Sequence, residues 1–187
     1  APCRGMGRHP HMNADERNSV AMQFGVSSEQ VERDHVISHL LAFLSRGFGN
    51  RIQFIGGTAL ARTHLPDGRL SEDIDLIAVE DRKVLAQDLD RELPRALART
   101  HGRLTIEPQM SNTADALPVL LRTTNGTAVQ LQLLSARDRA LWPTERRRLV
   151  QRQERHRQVR DRRLEVQLLE DRARRVDALG PGGVQID

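Results

Sequence analysis

The chain has 187 residues, about the length of one domain. Its one cysteine, Cys3, excludes an intrachain disulfide and a cysteine-rich zinc site. No apolar run approaches the ~20 residues of a membrane span, and residues 1–20 lack the apolar centre of a signal peptide, so we expect a cytoplasmic protein with no membrane partner.

The charge is distributed unevenly along the chain. Residues 1–136 hold 15 basic and 16 acidic side chains, whereas residues 137–187 hold 14 basic and 9 acidic ones. A basic segment beside a neutral domain fits a polyanionic partner such as RNA, because neutralised phosphates release counterions. A solvated helix held by salt bridges is the other interpretation of the same composition.

The N-terminal part of the chain consists of an irregular arm and a helix. Residues 1–24 have no regular apolar pattern, so we expect a disordered arm or an extension ahead of the natural start. Ser27 and Gln30 have the spacing of a capping box, and the apolar residues that follow recur at helical intervals. The sequence therefore predicts a helix over about 28–46.

Strands and helices then alternate as far as the middle of the chain. Apolar patterning and turn residues predict, in order, a strand over 52–55, a short helix over 58–63, a strand over 73–79, a helix over 81–100, a strand over 104–107 and a hairpin of 117–124 with 127–134. The Asn125-Gly126 pair is the strongest of these turn signals. This order predicts an α/β (α+β) domain over 25–143, with a mixed sheet and helices on one face.

The C-terminal part is rich in arginine. From about Thr144 to Val176 the composition predicts a helix whose apolar stripe is thin. We therefore expect residues 144–187 to form an Arg-rich helical tail that packs weakly on the domain.

Two aspartates begin the strand predicted over 73–79. Asp73 and Asp75 are two residues apart, so in a strand their side chains point to the same side. Adjacent carboxylates repel each other and raise each other's pKa, which is costly unless a cation lies between them. Mg²⁺ is a hard ion that binds carboxylate and phosphate oxygens, so we predict a magnesium site here.

A glycine-rich turn precedes the aspartates. Gly56 and Gly57 lie between a predicted strand and a helix, where glycines let backbone N–H groups approach a phosphate closely. Thr58 adds a hydroxyl donor, and Arg62 and Arg69 flank the turn, where they either steer phosphates or have plain surface roles. Together with the aspartates, the turn predicts a nucleoside triphosphate cradle that faces a metal site.

These motifs resemble a known family. GGTAL at 56–60, followed by RLSEDIDL at 69–76, resembles the AbiEii/AbiGii nucleotidyltransferase toxins, which include MenT-like members, within the polymerase-beta-like nucleotidyltransferase superfamily. The leading helix, ERDHVISHLLAFL, is similar to that family's N-terminal helix, so the resemblance covers about 25–150.

The resemblance implies a fold, a set of site residues and a reaction. It implies the polymerase-beta-like nucleotidyltransferase fold, with Asp73 and Asp75 on Mg²⁺ and Ser71 beside them as a third catalytic residue. The implied nucleotide-binding residues are Gly56, Gly57 and Thr58. The donor would be a nucleoside triphosphate, the acceptor a hydroxyl of RNA (the tRNA 3′ end in MenT-like members) or of protein, and the protein partner an AbiEi-like antitoxin.

The sequence departs from the superfamily at one catalytic position. Members commonly place a third carboxylate on a later strand, where this chain has Gln130 and Gln132 on the polar face. Glu107, Asp115 and Asp138 are alternatives, and spacing does not select among them.

Three functions remain open from the sequence alone. The first is an active nucleotidyltransferase, and the second is a catalytically impaired relative that still binds nucleotide. The third is a non-catalytic RNA-binding module that uses the Arg-rich tail. His35, His64 and His101 are scattered along the sequence, and we interpret them as structural or exposed.

Overall fold

A computed structural model of the chain describes residues 12–65, 70–137, 144–149 and 163–167. The elements follow in the order α1 (Ala14–Phe24), α2 (Ser28–Gly47), β1 (Ile52–Ile55), α3 (Gly56–Thr63), β2 (Asp73–Ala78), α4 (Arg82–Ala96), β3 (Thr105–Glu107), a 3-10 helix (Met110–Asn112), β4 (Pro118–Arg122), β5 (Ala128–Ser135), β6 (Thr144–Arg148) and β7 (Arg163–Gln167). None of the helices in these ranges is both long enough and apolar enough to cross a membrane.

The strands form one mixed sheet in the order β3-β4-β5-β2-β1-β7-β6. β2 runs parallel to β5, and β1 runs parallel to β7. The other neighbouring strands are antiparallel, including the β4-β5 hairpin predicted around Asn125-Gly126. The structure confirms the predicted mixed α/β architecture.

At the start of β2 and of β5, one face of the sheet carries core residues and the other carries polar residues. Along β5, Val129, Leu131 and Leu133 are buried and contribute to the same hydrophobic core as α2 and α4. Gln130 and Gln132 alternate with them and point to the opposite face. The site residues predicted on β2 lie on this second face, away from the helices that close the core.

The expectation of a disordered arm over 1–24 is wrong for its second half. Helix α1 occupies Ala14–Phe24, because the Asn13 side chain caps it by accepting a hydrogen bond from the Glu16 N–H at 2.7 Å. Arg17 joins it to α2 through an ion pair with Glu32 at 3.0 Å. Residues 1–11 lie outside the described part of the chain.

The expectation of an Arg-rich helix over 144–176 is wrong where this segment is described. It contributes β6 and β7, and the residue after β6, Leu149, is only 6% exposed and belongs to the core. In β7 the apolar residues Leu164 and Val166 alternate with polar ones, which is the period of a strand. β7 pairs in parallel with the edge of β1, where Phe54 is opposite Val166.

Candidate active site

The turn between β1 and α3 brings the backbone against a carboxylate of β2. Gly56 has φ of 81°, a conformation that glycine adopts without strain. A Cβ at this position would lie 3.1 Å from Cγ of Asp75 and closer still to its Oδ2. Only glycine therefore allows the turn to approach Asp75 in this way.

The two aspartates lie together at the start of β2, as predicted. Asp73 and Asp75 are both partly exposed on the polar face, while Ile74 between them is fully buried in the core. The Thr58 hydroxyl donates a hydrogen bond to Oδ1 of Asp73 at 3.0 Å, and Ile55 pairs with Asp75 across the strands. The residues predicted as one site, from the glycine turn to the aspartates, are therefore neighbours in space.

The carboxylates are in an environment that favours a bound cation. Burial, followed by repulsion from Asp73, raises the pKa of Asp75 above its usual value. A divalent cation between the two side chains would relieve both effects, and carboxylate oxygens are the ligands that Mg²⁺ prefers. The two aspartates therefore fit a magnesium ion.

The N-terminus of α3 is suited to an anion. Its first turn has no hydrogen bond from a capping side chain, and Gly57 in that turn is exposed. Backbone N–H groups and the helix dipole at such an end favour phosphate binding. The turn therefore offers donors to a phosphate beside the carboxylates of β2.

Arg62 and Ser71 are buried, whereas Asp73 and Asp75 are partly exposed. The Arg62 side chain is 1% exposed and forms an ion pair with Oδ1 of Asp34 at 2.8 Å. Its Nε donates to the Ser71 hydroxyl at 2.8 Å, and its Nη1 donates to the Ser38 hydroxyl at 2.8 Å. Both predicted residues are therefore engaged in a buried network of hydrogen bonds and an ion pair.

Asp34 is the residue of this network that sequence reasoning missed. Its Oδ1 also accepts a hydrogen bond from the Ser71 N–H at 2.7 Å, which fixes the segment that leads into Asp73. The available signal was the helical spacing that puts Asp34 on the same buried stripe as Val31 and Ser38. A charged residue on a core-facing stripe indicates a buried partner.

Glutamines occupy the strand beside the aspartates. In the parallel pairing of β2 with β5, Asp73 is opposite Gln130 and Asp75 is opposite Gln132. The Gln132 amide donates to the backbone carbonyl of Ala116. The position where the superfamily commonly has a third carboxylate is thus filled by neutral side chains.

Two of the alternative carboxylates are distant from the pair. Glu107 lies in line with Asp73 but three strands away, roughly 14 Å at the usual strand spacing. Asp115 accepts a hydrogen bond from the Ser135 N–H at 2.9 Å, at the far end of β5. Arg69 and Asp138 lie outside the described residues.

Comparison with known proteins gives a family and a fold. The family model described as nucleotidyl transferase AbiEii toxin, type IV toxin–antitoxin system, matches residues 40–170. The fold is similar to that of MenT4, a nucleotidyltransferase toxin from Mycobacterium tuberculosis H37Rv, with a TM-score of 0.60 and 23% sequence identity. The similarity covers 82% of this chain and 55% of the MenT4 chain, so this chain spans about half the length of that protein. No curated protein matches the sequence.

The matched range contains the glycine turn and both aspartates. It begins in α2 and includes both the glycine turn at 56–58 and the aspartates at 73 and 75. The fold agrees with the one that the motifs imply, and the family model covers most of the chain. The chain therefore belongs to the AbiEii nucleotidyltransferase toxin family of type IV toxin–antitoxin systems.

Proposed function

We propose that the chain transfers a nucleoside monophosphate from a nucleoside triphosphate to a hydroxyl of RNA or protein and releases pyrophosphate. The observation that carries this proposal is the close approach of Asp75 to the Gly56 turn. This approach puts two carboxylates beside the N-terminus of α3, and phosphoryl transfer needs a metal site next to a phosphate site.

The site residues form two groups, one that binds the metal ion and one that binds the nucleotide. Asp73 and Asp75 hold Mg²⁺, and the backbone of Gly56, Gly57 and Thr58 binds the nucleotide phosphates. When bound, Mg²⁺ would polarise the transferred phosphoryl group and lower the pKa of the acceptor hydroxyl. Catalysis of this kind depends on positioning and charge rather than on covalent chemistry by the protein.

The chain's own side chains orient the carboxylates for this reaction. Thr58 holds Oδ1 of Asp73 by its hydroxyl hydrogen bond. Two residues before Asp73, the Ser71 N–H donates to Asp34, and Arg62 both pairs with Asp34 and donates to the Ser71 hydroxyl. The acceptor oxygen then forms a bond to the α-phosphorus while the bond to the β-phosphate oxygen breaks, and the hydroxyl proton leaves to water. Arg69 remains a candidate for a phosphate contact.

Two finer assignments rest on the resemblance and on family membership. The acceptor is a hydroxyl of RNA, with the 3′ end of tRNA as the first candidate, or a hydroxyl of protein. The partner is an AbiEi-like antitoxin, since the family belongs to type IV toxin–antitoxin systems. The Arg excess over 137–187 supports an RNA acceptor, because arginines neutralise phosphates.

A second candidate function has its own supporting observation. Gln130 and Gln132 are opposite the two aspartates, and glutamine binds Mg²⁺ weakly and cannot act as a base. A relative impaired in this way would bind nucleoside triphosphate with Mg²⁺ but transfer nothing. A third candidate, an RNA-binding module that uses residues 144–187, would bind RNA with strong salt dependence and would not need Mg²⁺.

One experiment distinguishes the three candidates. The chain is incubated with each α-labelled nucleoside triphosphate, Mg²⁺ and total tRNA, and label is followed on RNA and on protein. Binding of the nucleoside triphosphate and of tRNA to the chain is measured in parallel. We expect label on one acceptor, its loss with a chelator, and its loss in Asp73→Asn and Asp75→Asn. Asp15→Asn, which removes an exposed carboxylate from α1, is the matched control and should transfer normally.

Each other outcome rejects the proposed transfer or its assignment to the two aspartates. Nucleotide binding without label on any acceptor would indicate the impaired relative. RNA binding without nucleotide binding would indicate the RNA-binding module. Equal transfer by the wild type and both aspartate variants would assign the chemistry to another part of the chain.

A further inference from the structure

Three histidines that are distant in the sequence meet in the fold. His35 and His39 lie on α2, and His101 lies in the turn that follows α4. His35 and His101, which are scattered along the sequence, are therefore neighbours in the fold, and both are buried. His35 Nδ1 and His101 Nε2 are 3.1 Å apart, and each of the three rings offers a nitrogen within 4.8 Å of the others. We name this group the histidine cluster.

We propose that the histidine cluster binds Zn²⁺ through its three imidazole nitrogens, at a site separate from the proposed nucleotide site. The proposal goes beyond the nucleotidyltransferase function, because imidazole is a ligand for zinc and related transition metals whereas Mg²⁺ prefers oxygen. It rests on the spacing of the rings, on their burial and on the partner of one ring.

The spacing of the rings is already close to that of a three-histidine metal site. Zn–N bonds of about 2.05 Å in tetrahedral geometry put two ligand nitrogens about 3.3 Å apart and their ring centroids about 5 Å apart. The centroid distances are 4.7 Å for His35–His39 and 5.1 Å for each of these rings with His101. The 3.1 Å distance between His35 Nδ1 and His101 Nε2 also agrees, and a His39 nitrogen lies within 4.8 Å of both.

The positions in the chain suit a metal site as well. His35 and His39 are four residues apart on a helix, a spacing that puts both rings on one face and recurs in zinc sites. His101 is 2% exposed and His35 is 8% exposed, so two of the three ligands are fixed by packing. His39 is only partly buried, so solvent reaches one of the three rings.

A neighbouring hydroxyl orients the His101 ring. Nδ1 of His101 lies 3.0 Å from the Thr100 hydroxyl, while Nε2 faces the histidine cluster. Metal-binding histidines usually have such a partner on the second nitrogen, because it fixes the tautomer and leaves the other lone pair for the metal. When Zn²⁺ binds, His35 must also carry its proton on Nε2, so the 3.1 Å contact changes from a hydrogen bond to a pair of ligands.

A zinc ion here would join separate parts of the fold. The backbone carbonyl of His101 accepts a hydrogen bond from the Thr124 hydroxyl at 3.0 Å, next to the β4-β5 turn. The ion would therefore cross-link α2 to the α4-β3 connection and, through it, to the hairpin. Binding that is specific to the folded state raises the melting temperature with increasing ligand.

The test is a zinc titration of the full chain in excess Mg²⁺, which occupies the carboxylates without competing for imidazole. We expect the wild type to bind one Zn²⁺, to melt at higher temperature with added Zn²⁺, and to give a tetrahedral absorption spectrum with Co²⁺. His39→Gln and His101→Gln should each weaken Zn²⁺ binding by more than about tenfold and abolish the shift in melting temperature.

His64→Gln is the matched control, since His64 is outside the histidine cluster and its loss should leave zinc binding unchanged. His39 is partly exposed, so its variant should stay folded even if His101→Gln does not, and circular dichroism checks this. Two results would overturn the proposal. One is Zn²⁺ affinity in His39→Gln equal to that of the wild type, and the other is no Zn²⁺ binding by the wild type in excess Mg²⁺.

Discussion

Replacing Gly56 with alanine is expected to displace the carboxylate of Asp75. At φ of 81° a non-glycine residue costs about 1–2 kcal/mol of stability. The new methyl group would also fall 3.1 Å from Cγ of Asp75 and closer to Oδ2, which forces that side chain out of its rotamer at about 0.5–1.5 kcal/mol more. A shift of about 1 Å in a catalytic group can lower the rate about a hundredfold, and we expect a loss of that order in nucleotidyl transfer.

The Gly126→Ala variant separates backbone strain from the contact with Asp75. Gly126 has φ of 88°, and a Cβ there meets nothing within 4 Å. Both variants should therefore lose about 1–2 kcal/mol from strain, but only Gly56→Ala should lose more than this and lose transfer activity. Urea unfolding measures the stability difference, and transfer of labelled nucleotide measures the rate.

A double variant tests the same contact from the other side. Asp75→Ala removes the carboxylate that the new methyl group would meet, so the effects of Gly56→Ala and Asp75→Ala on the free energy of unfolding should not add. Additive effects, or full transfer activity in Gly56→Ala, would refute this explanation of why residue 56 is glycine.

Three further variants test other parts of the account. Burial and the charge of Asp73 raise the pKa of Asp75 in the folded chain above its unfolded value, so the ionised carboxylate destabilises the fold. Asp75→Asn should therefore gain stability relative to the wild type as pH rises from the unfolded-state pKa of Asp75 through its folded-state pKa. Urea unfolding across this pH interval, without metal, measures the difference in stability between the two proteins. A difference that does not change with pH would contradict this expectation. Arg62→Met should cost roughly 3–5 kcal/mol, because it leaves Asp34 as a buried charge without its ion-pair partner, and Arg62→Met/Asp34→Asn should recover part of the loss. Truncation after Arg137 should lower the free energy of unfolding, because it removes Leu149 from the core and removes β7, the strand that pairs with β1. An unchanged free energy of unfolding would show that β6 and β7 do not pack on the rest of the sheet.

The parts of the fold that the sequence predicts well are those governed by local signals. The capping box at Ser27 begins α2, and Asn125-Gly126 joins β4 to β5, because both signals act over a few residues. The glycine turn and the two aspartates were predictable as a site for a similar reason. The strand period alone puts Asp73 and Asp75 on one side.

The remaining features depend on contacts between distant parts of the chain. A short run such as RLEVQ at 163–167 becomes a strand because the β1 edge is available to pair with it, and composition alone favoured a helix. The sequence does not show whether Arg62 contacts phosphate or has a surface role, because its buried partner, Asp34, lies 28 residues away. The meeting of His35 with His101 across 66 residues likewise has no local signal.

The central claim is that Asp73, Asp75 and the turn at 56–58 form one metal and nucleotide site. The most direct measurement is a crystal structure of the full chain with Mn²⁺ and a non-hydrolysable nucleoside triphosphate analogue, in which anomalous scattering locates the ion. We predict Mn²⁺ bound directly by oxygens of both Asp73 and Asp75, with phosphate oxygens accepting hydrogen bonds from the N–H groups of Gly57 and Thr58. A metal ion bound by neither aspartate, or a triphosphate away from the α3 N-terminus, would contradict the account.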